Sequence, residues 1–248
     1  MSQYIEIIKR VHEGQIGDIV GGQCYWNWGE QDWHYQPRQA GWSDMEWQIR
    51  CWPYFTWLSG DHIVEQHVHN LDIINWAIGS HPVQCLAMGG RQARTGPGYG
   101  NIYDHFAVEY EYPNGVRVLS MCSQIKGTTS RVCEQVVGTK GRTYTTRGVG
   151  YIEGQNPYKF DGERTGGTRE QHAALIRSIR EGKPINEGRE VAESTMTGIM
   201  GRISAYTGRA LKWDWVMEAS KLDLRPPRYE LGELPVQPIA IPGKTPLV

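Results

Sequence analysis

Phenylalanine is scarce in the 248 residues, three in all, and cysteine shows no organised use. The five cysteines (Cys24, Cys51, Cys85, Cys122 and Cys133) are odd in number, scattered and never paired as C-x-x-C. That spacing excludes a zinc ribbon and a dense disulfide framework, so they are expected as small buried apolar side chains. No apolar run approaches the roughly 18 residues that span a bilayer. The opening MSQYIEIIKRVHEG carries charges through its apolar stretch and is not a secretory signal. Nothing in the chain directs it out of the cytoplasm. Charge of one sign is lacking too: 26 Lys and Arg against 27 Asp and Glu give a net charge of −1. A nucleic-acid partner held by a basic surface is disfavoured, and the ordinary apolar content argues against disorder. The G-x-G-x-x-G turn of a dinucleotide site is also missing. The nearest string, Gly96-Pro-Gly98-Tyr-Gly100, has the wrong spacing and no helix after it.

Residues 3–13 place Ile5, Ile8 and Val11 on one helical stripe that Gly14 ends. Asp18–Trp26 reads as a strand. A helix is predicted from about Asp61 to Ile78, closed by Gly79 and Pro82. Strand signals follow at 83–91, 106–112, 116–125, 131–137 and 142–146, with Pro113-Asn114-Gly115 as a hairpin turn. Residues 148–167 hold six glycines and read as a loop. Thr168…Gln171 is a candidate capping box for a helix to Glu181, and a second helix runs from about Arg189 to Thr207. Short turns between strands and no βαβ alternation predict an α+β fold: one mainly antiparallel sheet with helices on one face. The expected organisation is an α+β body over 1–224, a tryptophan-rich insertion at 26–60, and an extended arm at 225–248 with six of the 13 prolines.

The 61–78 helix carries the chemistry. At 100° per residue, His62, Glu65, His69, Asp72 and Trp76 share one face, with His67 roughly opposite Glu65. Ionisable groups stacked on a buried face are costly unless paired or used. Three readings stay open: a solvated or internally bonded face, acid–base catalysis by His69 with Glu65 and Asp72, or a divalent metal on His62, Glu65 and His69.

At these residues the sequence resembles the C-terminal domain of the Gfo/Idh/MocA (glucose–fructose oxidoreductase-like) family. Glu65, His67, His69 and Asp72 stand at the four positions of the family's D-x-G-x-H-x-x-D helix pattern, followed by Trp76 and Gly79. Gly14-Gln-Ile-Gly17, Val137-Gly-Thr-Lys-Gly141, Arg180-Glu-Gly-Lys-Pro184 and Val191-Ala-Glu-Ser194 extend the match along essentially the whole chain. The segments Tyr54–Gly79 and Leu234–Gly243 look like a bacterial, sugar-directed and often secreted branch. The resemblance implies a Rossmann domain ahead of an oligomer-forming sheet domain, with sugars or polyols oxidised by NAD(P) in the cleft between them. His69 would then transfer the proton and Asp72 would help to place the substrate. Glu65 and His67 depart from the pattern's Asp and Gly. The Gly-rich turn and the family's Glu-Lys-Pro segment do not occur, so NAD(P) is expected only through a missing or partner domain.

Seven of the ten tryptophans fall between Trp26 and Trp57. Flat rings stack on sugar C–H faces, but they also build a local core where regular structure is lacking. Tyr54 and Trp57 are the expected ligand-side residues, joined by His62 and His67 from the helix. The functions this reading supports are a sugar-binding oxidoreductase domain completed by a Rossmann-type partner, a stand-alone non-redox lyase, hydratase or glycosidase using His69 and Glu65, or a non-catalytic binding or assembly subunit. A homo-oligomer formed through the sheet is expected, and no membrane partner.

Overall fold

The computed structural model describes residues 1–29, 32–163 and 165–248. Positions 30 and 31 of the tryptophan-rich stretch, and 164 of the glycine-rich one, lie outside the described residues.

Helix α1 (Ser2–His12) buries Ile8 and Val11 as expected, but Ile7 takes the third core position and Ile5, expected on the same stripe, is left in solvent. Strand β1 (Ile19–Asn27) follows. The 27–60 stretch is not wholly irregular: it contains α2 (Asp44–Arg50), a 3₁₀ turn at Trp52–Tyr54 and α3 (Thr56–Ser59). Ser43 caps α2, its hydroxyl accepting from the Glu46 N–H at 3.2 Å.

The 61–78 segment is two helices rather than one. α4 (His62–Glu65) stops at Gln66, and α5 (Val68–Ile78) starts after a break at Gln66–His67. The strands β2 (Gln84–Gly90), β3 (His105–Glu111), β4 (Arg117–Ser123), β5 (Arg131–Gly138) and β6 (Gly141–Thr145) match their sequence signals. Two further strands, β7 (Gly150–Gly154) and β8 (Tyr158–Lys159), occupy the stretch read as a loop. They are followed by α6 (Thr168–Glu181), α7 (Gly188–Thr207), β9 (Leu211–Lys212) and α8 (Trp213–Glu218). α6 opens one residue earlier than expected and with only half of a capping box: the Gly167 N–H donates to the Glu170 carboxylate at 3.0 Å, and Gly167 has no side chain to accept in return.

The nine strands form one sheet in the order β8-β7-β6-β5-β1-β4-β3-β2-β9. Every described pairing is antiparallel except β1 with β4, where Cys24 stands opposite Ser120. α1, α5 and α7 cover one face, with Ile74, Leu71, Val108, Val118 and Met200 fully buried between the layers. The other face is open and shows Leu86, Met88 and Leu119 to solvent. Trp47, Cys51, Tyr54, Phe55 and Ile102 form a second, smaller core under the tryptophan-rich segment. All five cysteines are buried and unpaired, as their spacing implies. Among the described residues no helix is long and apolar enough to cross a membrane.

Candidate active site

The break between α4 and α5 decides which side chains reach the surface. Because the helical phase slips at Gln66–His67, the residues predicted for one face separate into a buried set and a rim set. Asp61, at the start of α4, holds an unusual positive φ of 72° and is fully buried. Its Oδ1 accepts from the His62 backbone at 2.6 Å and from His62 Nδ1 at 2.9 Å. Its Oδ2 accepts from the Tyr103 N–H at 2.8 Å and the Tyr206 hydroxyl at 2.5 Å. A buried carboxylate with four donors is a structural clasp. It also seals His62 inside, with Nε2 unpartnered.

His67 is fully buried as well, directed at the sheet. Its Nδ1 donates to Asn70 Oδ1 at 3.1 Å, and the Ser120 hydroxyl donates to Nε2 at 2.6 Å. The Asn70 amide nitrogen donates in turn to Glu134, which fixes the Asn70 oxygen as the acceptor and His67 as the Nδ1–H tautomer. Burial pushes the His67 pKa down to about 3, so the ring stays neutral. Neither His62 nor His67 faces a ligand surface in this arrangement.

Glu65 and His69 lie on the outer side. Glu65 is half-buried and its carboxyl group makes no hydrogen bond among the described residues; desolvation alone lifts its pKa to about 7. His69 is exposed in the first turn of α5, its ring 5.9 Å from Trp26, which stands 6.0 Å from the exposed Trp28. Glu65 and His69 form no ion pair with each other despite their i,i+4 spacing, because the break separates them. Asp72 turns to α7 and accepts from the Ser194 hydroxyl at 2.7 Å. The metal set of His62, Glu65 and His69 does not come together, since the Asp61 clasp holds His62 inside. No group of three or more His, Cys, Asp or Glu among the described residues is placed to hold a metal ion.

Tyr54 belongs to the second core, 1% exposed, with its hydroxyl donating to the Trp33 carbonyl at 2.9 Å. Trp57 donates its indole N–H to Gln48 at 2.8 Å and faces the C-terminal arm. The aromatic residue that stands beside His69 is instead Trp26, with Trp28 against Trp26 in turn.

A polar pocket of about 360 Å³ was not anticipated from sequence; Gly29, Asp32, Arg94, Tyr99, Gln124 and Lys126 line it. Asp104 builds its wall. This carboxylate is fully buried and takes three backbone donors, Gln92, Ala93 and Arg94, at 2.8, 2.6 and 2.9 Å, and His105 Nδ1 at 2.8 Å. Burial alone would raise the Asp104 pKa, but these donors hold it below its ordinary value. Arg94 reaches Gln124 at 2.5 Å and Asp32 at 3.3 Å, and Gln124 donates to Gln66 at 2.9 Å, directly beside Glu65. The missed signal was the Arg94…Asp104 spacing, which reads as an unremarkable loop until the strands close around it.

The glycine-rich string does not form a phosphate cradle. Pro97–Tyr99 is a single 3₁₀ turn between strands, and its carbonyls point at the Arg91 guanidinium, 2.8 Å from Gly96 O and 2.6 Å from Gly100 O. The space where a side chain on Gly98 would sit is filled by Tyr35, whose hydroxyl lies 2.5 Å from that Cβ position. With carbonyls in place of N–H groups and no helix N-terminus, these residues do not fit a dinucleotide.

Residues 4–144 match the family described as the GFO/IDH/MocA C-terminal domain. A 2,7-anhydro-N-acetylneuraminate hydratase from Escherichia coli is 30% identical over 107 residues, 43% of this chain and 25% of that protein. The fold is similar to that of a Caulobacter crescentus aldose–aldose oxidoreductase complexed with glycerol, at a TM-score of 0.65 and 18% identity over 84% of this chain and 60% of that one. It is also similar to a Lactobacillus plantarum myo-inositol 2-dehydrogenase, at a TM-score of 0.60 and 16% identity over 86% and 62%. The chain thus spans a quarter of the curated relative and about three-fifths of these structures.

Proposed function

The chain belongs to the GFO/IDH/MocA family, and on that premise we propose that it is the substrate half of a sugar-directed enzyme, with His69 as its acid–base residue. The observation that carries this reading is a half-buried carboxyl with a pKa near 7 and, one helical turn on, an exposed imidazole beside Trp26, which itself packs on Trp28. A sugar stacks its C–H face on Trp26 and Trp28, which brings a hydroxyl to the exposed His69 ring. Glu65, divided between acid and carboxylate at neutral pH, exchanges the second proton. Asp72 is a positioning residue, holding the start of α5 to Ser194 of α7. Arg94 and Lys126 supply donors from the adjoining pocket. Hydride transfer has no seat on these residues, so NAD(P) chemistry requires a Rossmann-type domain or partner. The exposed Ile5 of α1 and Trp76 of α5 support a surface that such a domain covers.

A second reading rests on the hydratase relative: elimination or hydration of a sugar without net oxidation, using the same two residues. One experiment separates the two. Sugar acids, aldoses and anhydro-sugars are offered to the purified chain with and without nicotinamide, and Trp fluorescence reports binding. Binding without turnover supports the substrate-half reading; turnover without nicotinamide supports the second. Where turnover is seen, by the chain alone or once a Rossmann-type partner and nicotinamide are supplied, His69→Ala lowers it about 100-fold or more, with the melting temperature unchanged because the ring is exposed. Undiminished activity in His69→Ala would sink both.

A further inference from the structure

One cavity, of about 460 Å³, lies between the C-terminal arm and the second core and includes neither Glu65 nor His69 among its lining residues. Its walls are apolar, with Phe55, Trp57, Ile203, Leu224, Pro227 and Ala240 representative of them. Most of its polar groups are already occupied. Gln48 takes the Trp57 indole and donates to the Leu234 carbonyl at 2.6 Å. The Tyr206 hydroxyl donates to Asp61, and the Thr207 hydroxyl to the Ile203 carbonyl at 2.7 Å. At the mouth, Asp223 and Arg225 pair with each other at 2.6 Å.

Arg202 is the exception. It is only 4% exposed, yet among the described residues no carboxylate comes within ion-pair distance, and one bond, from Nη1 to the Gly60 carbonyl at 3.1 Å, is all its fork makes. Its other N–H groups are not sealed in protein, so they open to the cavity that the residue lines. A buried guanidinium with unused, coplanar donors is costly unless an anion meets it. The wall also offers the Asn101 amide nitrogen, since that side chain uses only its oxygen, for the Thr56 N–H at 3.0 Å and its hydroxyl at 3.2 Å. We propose that this cavity binds a small organic carboxylate with an apolar body, its anionic end on Arg202 and its ring or chain against Trp57 and the arm's prolines. The volume lies in the range of small-molecule sites, and apolar walls with one fixed charge suit a planar carboxylate better than a heavily hydrated polyanion.

The test uses the full ¹⁵N-labelled chain titrated with benzoate, and with benzamide as its neutral isostere. The Trp57 indole N–H and the Arg202 Nε–H resonances are followed. Both are expected to shift saturably with benzoate, and benzamide to bind about tenfold more weakly or worse. Arg202→Gln should abolish the preference for the anion. Because that side chain is buried, Gln237→Glu on the exposed arm wall provides a second arm, expected to weaken benzoate several-fold and leave benzamide unchanged. No saturable shift up to about 10 mM benzoate, equal binding of the two probes, or a Gln237→Glu variant that binds benzoate as the parent does would each overturn the proposal.

Discussion

Glu134 offers a measurable test of how burial and hydrogen bonding balance in this core. It is 2% exposed and accepts from the Asn70 amide, from the Thr145 hydroxyl at 2.8 Å, and from the Tyr4 hydroxyl. Those donors favour the carboxylate, but desolvation outweighs them and lifts the pKa from 4.5 to about 7. The folded state therefore keeps its proton to higher pH than the unfolded chain does. The neutral form's stability is complete below about 4.5 and is lost as pH rises through about 7. At about 1.4 kcal/mol per unit, the loss across that window is roughly 3 kcal/mol. Urea unfolding followed by tryptophan fluorescence from pH 4.5 to 8.5 measures it. Glu134→Gln keeps the shape without the ionisation, so the stability difference between parent and variant should drift by that amount, with the parent losing. Parallel curves, within about 0.5 kcal/mol over the range, would refute the assignment of burial as the dominant influence.

His67 acts with the opposite sign: its folded pKa is depressed to about 3, so its contribution holds above about 6.5 and fades as pH falls. His67→Gln should remove that acid-side slope in the same unfolding series. Gly100 sits at φ 51°, where a Cβ would lie 1.9 Å from the Tyr54 carbonyl oxygen; Gly100→Ala should cost about 3 kcal/mol or more, read by thermal unfolding. On the open sheet face, Met88 is 77% and Leu119 41% exposed. If copies associate through that face, Met88→Glu with Leu119→Glu shifts the mass measured by light scattering to the monomer.

Much of the fold was legible because periodicity and turn chemistry agreed. Pro113-Asn114-Gly115 joins β3 to β4, with Asn114 at φ 64° and Gly115 at φ 75°. The errors have local causes. No glycine or proline marks the break at Gln66–His67; it exists because His67 turns to Ser120 across the sheet, a contact 53 residues away. β7 was hidden by its own glycines, which the close approach of α1 favours: a Cβ on Gly150 would lie 3.0 Å from Ile7 Cγ1. α2 did carry a signal, Ser43-x-x-Glu46, masked by the tryptophans around it. For the site, residue types were readable but their orientation was not. His69 and Glu65 reach the rim, while Tyr54, His62 and His67 are drawn inward by partners that only the tertiary structure supplies.

The position of β1 has a consequence for assembly of the chain. On one side of it stand β5 to β8, each strand paired to its neighbour in sequence; on the other stand β2 to β4 with β9. Each half is a meander of mostly local contacts, and β1 is the seam, joined to β4 and β5 across about a hundred residues. The halves can zip independently, but neither closes an inner edge until the first strand is threaded between them. A fragment starting at residue 28 would hold two half-sheets with facing open edges, a template for misassociation. Adding residues 1–27 as a separate peptide would restore the seam, and with it the single sheet.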